Sequence, residues 1–217
     1  MTVAPARSRS RRRAAAEPVA QTGDARAALS LARRPWSLPT AGGRVVVRGA
    51  MPGDLAAVAV LHGRCSATTL LQRYLKGGRP PSLSTLSDLM HRPLVVIALA
   101  PAGDVVALAS ATRASTAPNG DPEPGTTLQI GLLVRDDWQQ LGVGRALAAH
   151  VAASAQLLGV RELVADVASQ GLPLRRIMDG IGATKSSRNE RGSRLRTRLD
   201  HAALAGLGPV SGVLVAG

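Results

Sequence analysis

The chain is poor in cysteine, lysine, aromatic residues and acids, and each shortage excludes something. A single cysteine, Cys65, leaves no partner for an intramolecular disulfide, which suits a reducing compartment. The histidines at 62, 91, 150 and 201 show no metal-ligand spacing, so no metal site is expected. There is no run of 18 apolar residues, the length a membrane-spanning helix needs. The N-terminus carries arginines but not the apolar core of a secretory signal. The expectation is a cytoplasmic protein with no membrane association, an organellar transit peptide being the alternative on composition.

Acids are outnumbered, 14 against 27 basic residues, for a formal net charge of +13. The only lysines are Lys76 and Lys185; every other cation is an arginine. Part of the excess is local. Residues 1–40 hold eight arginines against Glu17 and Asp24, a net of +6, which leaves +7 for the rest. A basic surface attracts anions, whether nucleic acid, a phosphate-rich cofactor or an acidic substrate. No reader helix or aromatic platform is recognisable, so nucleic acid is the least favoured of these.

What is present has a clear order. Residues 1–40 show no helical or strand period and read as a disordered basic tail. The span 41–200 reads as one folded domain and 201–217 as an apolar, flexible tail. Arg44–Arg48 is a β-branched run, hence a strand. Pro52-Gly53-Asp54 opens a helix, with Asp54 placed to cap it or to favour its first turn. Further helices are expected near Ala67–Lys76 and from Ser82 or Ser84 to Met90. Leu94–Ala100 and Val105–Thr112 read as a hairpin around Pro101-Ala102-Gly103-Asp104, and Ala117–Gly125 as a loop. Thr127–Val134 is apolar on both faces, like a central strand. A helix to about Leu158 follows, then a strand at Glu162–Ala168, a short helix from Pro173 and a last strand at Leu195–Leu199. Strand, helix and strand in that order read as a βαβ unit with parallel strands.

The informative segment is Gln139-Gln140-Leu141-Gly142-Val143-Gly144-Arg145, between a strand and a helix. Glycines there let the backbone approach a ligand and take positive φ. Amide N–H groups at the helix start point one way, with the positive end of the helix dipole behind them, and Arg145 adds charge. That is an anion site suited to a pyrophosphate. Two other phosphate loops are excluded. A dinucleotide fingerprint needs a small residue three positions after Gly144, where Leu147 stands, and no Gly-Lys-Ser or Gly-Lys-Thr occurs.

The loop resembles the Q/R-x-x-G-x-G/A pattern of the GNAT superfamily of N-acetyltransferases. The run Leu128–Gly182 follows that family's order, and Leu61-His62-Gly63-Arg64-Cys65-Ser66 with Arg73-Tyr74-Leu75 is similar to actinobacterial-type members. The resemblance spans residues 44–200. It implies an α/β (α+β) fold: a mixed, mostly antiparallel sheet of six to seven strands, one central parallel pair splayed apart, helices on both faces. It implies acetyl-CoA as co-substrate and direct transfer of the acetyl group in a ternary complex to an amine of a small molecule or a protein, with a homodimer left open. Carried over by position, Leu132, Leu133 and Val134 offer backbone groups to the pantetheine arm. Gln139, Gln140, Leu141, Gly142, Val143, Gly144 and Arg145 hold the pyrophosphate, and Gly171 stands where the family has an asparagine.

The catalytic positions depart from the family pattern. An amine of pKa near 10.4 is only about 0.04 % neutral at pH 7, so a base or a depressed pKa helps. Many members carry a glutamate where this chain has Gln129, which orients an amine or a water but takes no proton. The tyrosine that protonates the leaving thiolate is Met178 here, and the aromatic after the glycine is Ala183. Asp166 is the best remaining carboxylate, either a site residue or a partner for an arginine. Asp136 and Asp137 read as turn residues, Tyr74 and Cys65 as packing, and His150 as surface or helix packing. Three functions stay open: an active acetyltransferase using Gln129 and Asp166, a degenerate acyl-CoA-binding regulatory module, and a nucleic-acid-binding protein.

Overall fold

A computed structural model describes residues 29–30, 33–114, 127–169, 171–189 and 192–199. The expected loop at 117–125, most of the basic tail and the apolar tail at 201–217 lie outside the described residues. Among these residues eight strands form one sheet: β1 (Trp36–Thr40), β2 (Gly43–Gly49), β3 (Leu94–Leu99), β4 (Val105–Arg113), β5 (Thr127–Val134), β6 (Glu162–Ala168), β7 (Thr184–Asn189) and β8 (Gly192–Arg198). Their spatial order is β1-β2-β3-β4-β5-β6-β8-β7. Every neighbouring pair is antiparallel except β5 and β6. The mixed sheet with one central parallel pair is thus as expected, with eight strands instead of six to seven.

The two additional strands are both at sheet edges. Trp36–Thr40 corrects the reading of 1–40 as unstructured throughout: Pro39 and the surrounding arginines hide its strand character, yet an edge strand tolerates a proline. Thr184–Asn189 is polar along its length, and nothing in such a sequence alternates.

Among the described residues, five α-helices cover the sheet. On one face lie α1 (Leu55–Gly63), α2 (Ala67–Tyr74) and α3 (Leu83–Met90). Val58, Leu61, Leu70 and Leu86 from these helices pack on Val95, Ile97, Leu108 and Leu133 of the sheet. On the other face α4 (Val143–Leu157) lays Val143, Leu147, Val151 and Ala155 onto Val96, Ala107, Ala109 and Ile130. Met178, on α5 (Leu172–Asp179), joins that second core.

Local chemistry sets the boundaries. Ser66 and Ser82 cap α2 and α3, their hydroxyls accepting from Thr69 N–H at 3.2 Å and Thr85 N–H at 3.3 Å. Helix α2 ends at Tyr74, earlier than the glycines suggest, because Leu75 turns left-handed at φ 56°. Asp54 does not cap α1 with its side chain. It accepts two bonds from the Arg48 guanidinium, each 2.7 Å, and one from Met51 N–H at 2.7 Å, pinning the turn to β2. The hairpin turn after β3 closes through Gly103 N–H to Ala100 C=O at 2.8 Å.

The feature that makes room for a site is a parting of β5 and β6. They pair only at Thr127 with Glu162, Leu128 with Leu163 and Gln129 with Val164. Beyond Gln129 the strands diverge, and β5 remains paired to β4 alone. Arg135 N–H bonds to Val106 C=O at 2.9 Å, so strand alternation turns Leu133 and Gly131 toward β4. The backbone groups of Ile130, Leu132 and Val134 therefore face the gap.

Candidate functional site

Two adjoining clefts open where β5 and β6 part. The first, about 350 Å³, lies in front of the N-terminus of α4. Gly142 precedes that helix with φ 86°, a value that favours glycine, and a Cβ there would project into open space. The first backbone bond of the helix runs from Ala146 N–H to Gly142 C=O at 3.0 Å. The N–H groups of Val143 and Gly144 come before it, in the first turn, where a helix start offers donors to a ligand. Gly144 lets the helix sit close to β5: a Cβ would meet Val134 Cγ2 at 3.3 Å. Exposed Arg145 and Arg176 add positive charge to the cleft.

The turn before this helix is anchored from outside the loop. Gln139 donates through Nε2 to Thr69 Oγ1 and to Val134 C=O, both at 3.1 Å. Asp136 accepts from Ser66 N–H at 2.8 Å, Ser66 Oγ at 2.7 Å and Thr69 Oγ1 at 2.8 Å. Burial by itself would raise its pKa, but the bonds from Ser66 and Thr69 outweigh that and hold it below the ordinary carboxylate value. Gln140 takes φ 61°, a conformation a non-glycine residue seldom adopts, at the tip of the loop.

The second cleft, about 330 Å³, lies on the α2–α3 side of the sheet. Gln129, Gly131, Thr112 and Asp166 form its floor, and Arg73, Tyr74, Lys76 and Arg92 line the helical wall. The clefts share Arg73, Leu132 and Leu174, so they meet over the middle of β5. Arg73 reaches from α2 across Gly131; a Cβ at Gly131 would collide with the guanidinium. Its Nη2 donates to Ser110 Oγ at 2.9 Å, and its carbon lies 5.0 Å from the Tyr74 ring centroid.

Asp166 is engaged on both oxygens. Arg194 donates through Nε at 2.7 Å and Nη2 at 3.0 Å, and Gln129 donates through Nε2 at 2.8 Å. Asp166 is thus an arginine partner, and it lines the second cleft. Because a carboxylate only accepts, the Gln129 nitrogen must be the atom facing it, which leaves the Gln129 carbonyl oxygen for another donor.

Most of the sequence-selected residues come together. Leu132, Leu133, Val134, Gln139, Gln140, Gly142, Gly144, Arg145 and Gly171 border the first cleft, and Gln129 and Asp166 the second. Leu141 and Val143 turn their side chains into the α4-side core, so only their backbone is available. The backbone of Leu133 is turned to β4. Gly171 is explained by packing, since a Cβ would sit 2.9 Å from Val167 Cγ1. Met178 is enclosed in the core, and Pro173, Leu174, Arg176 and Ile177 are the α5 residues at the first cleft.

Sequence reasoning missed Arg73 and Arg92 as cleft residues. The signal for Arg73 was a charge four residues after Thr69, on the buried stripe of α2. Tyr74 is a structural partner of His62, in keeping with its reading as a packing residue. The Tyr74 hydroxyl lies 2.6 Å from His62 Nε2, while Nδ1 donates to Val58 C=O at 2.6 Å. Burial lowers the His62 pKa and raises that of Tyr74. Burial, reinforced by Asp136, pushes the Cys65 thiol up to about 12. His150 is buried and packs its ring 5.8 Å from that of Trp36. Among the described residues no cluster of metal ligands occurs and no helix is long and apolar enough to cross a membrane.

No family model matches the chain. Solved structures do. The GNAT domain of S. lividans PAT superposes with a TM-score of 0.67 at 21% identity, over 76% of this chain and 97% of that one. The fold is that of the GNAT acetyltransferases. A second GNAT-fold neighbour, the yncA acetyltransferase of Salmonella typhimurium solved with its cofactor acetyl-CoA, gives a TM-score of 0.57 at 18% identity, over 72% and 95% of the two chains. The cAMP-binding acyltransferase of Mycobacterium smegmatis matches at 25% identity with a TM-score of 0.51, over 87% of this chain and 52% of its own. Within the GNAT fold, the glycine loop before α4 and the parted β5 and β6 are the two elements that frame the clefts.

Proposed function

We propose that the protein is an N-acetyltransferase that takes acetyl-CoA in the first cleft and an amine in the second. One observation carries this reading: the two clefts meet at Leu132, on a strand whose outward backbone groups have lost their sheet partner. Peptide-like groups left bare beside a gap need hydrogen bonds, and the amide-bearing pantetheine arm of CoA offers them in series. The amides of Val143 and Gly144 and the positive charge of Arg145 suit its pyrophosphate. The neighbour solved with acetyl-CoA supports the same ligand by fold.

Acetyl-CoA supplies an activated acyl group, and transfer to an amine releases the CoA thiol. The chain's own contribution begins with orientation. The Gln129 oxygen accepts a hydrogen bond from the amine, fixed in place because its nitrogen is held by Asp166. Asp166 adds negative charge next to that position while Arg194 keeps it in register. Neither residue is free to act as a dedicated base, so the amine proton passes to water at the mouth of the second cleft. This predicts activity that climbs with pH toward the amine pKa.

A second reading shares the same cofactor cleft: a degenerate module that binds acyl-CoA without turnover. It draws on Gln129 and on the buried Met178, which offers no proton to a leaving thiolate. Titration calorimetry with acetyl-CoA, followed by a thiol assay for CoA release across a panel of amines and lysine peptides, separates the two. Binding with release supports the transferase. Binding with no release from any amine supports the module, and no binding removes both.

A further inference from the structure

The charges around the second cleft are unbalanced. Arg73, Lys76 and Arg92 line it against one carboxylate, Asp166, which is already paired with Arg194. Among the described residues none of those three cations has an ion-pair partner. The Arg73 guanidinium lies against Gly131 with a single neutral acceptor, Ser110, and its buried Nε has no hydrogen-bond partner. Arg92 is half-buried in the same wall, and its charge works against that of Arg73. Enclosing a guanidinium without a counter-ion is costly, and a planar carboxylate or a phosphonate meets its donors two at a time. At the floor of the same cleft, Gln129 and Asp166 offer the opposite chemistry: an acceptor oxygen beside a negative charge, suited to an ammonium or amine.

We infer that the acceptor is a small zwitterionic amine, carrying an anionic group that docks against Arg73 and Arg92 while its amino group meets Gln129. This rests on the second cleft being the acceptor site. The volume, about 330 Å³, is that of a small-molecule pocket. The argument extends to carboxylates and phosphonates alike, since both present the oxygens that arginine recognises. Polyamines and other multiply cationic amines are disfavoured by the same wall.

The test uses matched pairs: ω-amino acids from glycine to aminohexanoate, each beside the alkylamine of equal length without the carboxylate, plus aminopropylphosphonate. CoA release from acetyl-CoA is followed with wild type and with Arg92→Gln. The expected result is a kcat/KM preference of about 10-fold or more for at least one anionic amine over its partner, shrinking in Arg92→Gln. The acetyl-CoA Kd should be equal in both proteins. Equal rates within every pair, or a preference for the uncharged or polycationic amine, would overturn the inference. If no amine is turned over, the transferase reading fails separately. Calorimetric titration of the amino acids then decides: binding weakened by Arg92→Gln supports the anion site, and absence of binding to wild type removes it. The ratio of carboxylate to phosphonate rates tells which anion the wall prefers.

Discussion

The Asp136 carboxylate sits at the N-terminus of α2, accepting from both the N–H and the hydroxyl of Ser66, seventy residues away in the chain. The same carboxylate holds Thr69, whose hydroxyl also receives Gln139 of the glycine loop. One acidic side chain thus joins the helix that carries Arg73 to the loop that precedes α4.

Replacing Asp136 by alanine should destabilise the protein by about 1–2 kcal/mol, a helix-cap loss moderated by solvent screening. Its folded-state pKa lies below the ordinary value, so its contribution is complete above the unfolded pKa, near 3.9. That contribution disappears as the pH falls through the lower, folded value. Urea denaturation of wild type and variant should therefore show a gap that is constant near neutrality and closes in acid. A gap unchanged down to about pH 2 would contradict the linkage.

Substitution of Gly142 by glutamate should abolish acetyl-CoA binding, seen as a loss of about 100-fold or more in calorimetric affinity. The side chain would enter the open space before α4 and bring a negative charge to the N–H groups there. Strain at φ 86° adds on the order of 1 kcal/mol of destabilisation. Gly142→Ala shares the strain without the charge, so retained binding in alanine with loss in glutamate is the diagnostic pattern.

For Gln129→Ala the expectation is a fall in kcat of about 10–100-fold with the acetyl-CoA Kd unchanged. Its side chain belongs to the second cleft and its nitrogen to Asp166, so the first cleft keeps its lining. An equal loss in cofactor affinity would place the residue in the wrong cleft. Stopped assays with radiolabelled acetyl-CoA and direct titration measure the two quantities independently.

Cys65 should be inert. With its thiol pushed up to about 12 by burial, the thiolate fraction at pH 8 is on the order of 10⁻⁴, so modification by a thiol reagent should be slow until the protein is unfolded. Cys65→Ser should retain full CoA release. Rapid labelling of the folded protein at pH 8, or loss of activity in the serine variant, would return the thiol to the list of functional groups.

Local information reached far along this chain. The period of Val143, Leu147, Val151 and Ala155 marks the buried stripe of α4, and Gly142 and Gly144 mark the loop before it. The apolar run Thr127–Val134 is the central strand. These were legible because helix periodicity, turn glycines and two-sided burial are properties of neighbours in sequence. The strands that sequence reading left out, β1 and β7, are at edges, where a polar or proline-bearing segment satisfies the sheet on one side only.

What the sequence by itself determined was the succession of elements and the glycine-bearing start of α4. Which side chains share a cavity was decided only by the tertiary structure. Arg73, Gln129 and Asp166 are distant in the chain, and the parting of β5 from β6 after Gln129 creates the cavity that they line. The same parting leaves the outward backbone groups of Leu132 and Val134 without a strand partner while Leu133 stays bonded to β4, a distinction that depends on strand alternation. The physical reason is that backbone preference is local, whereas the charge and hydrogen-bond environment of a side chain is set by whatever the fold packs beside it.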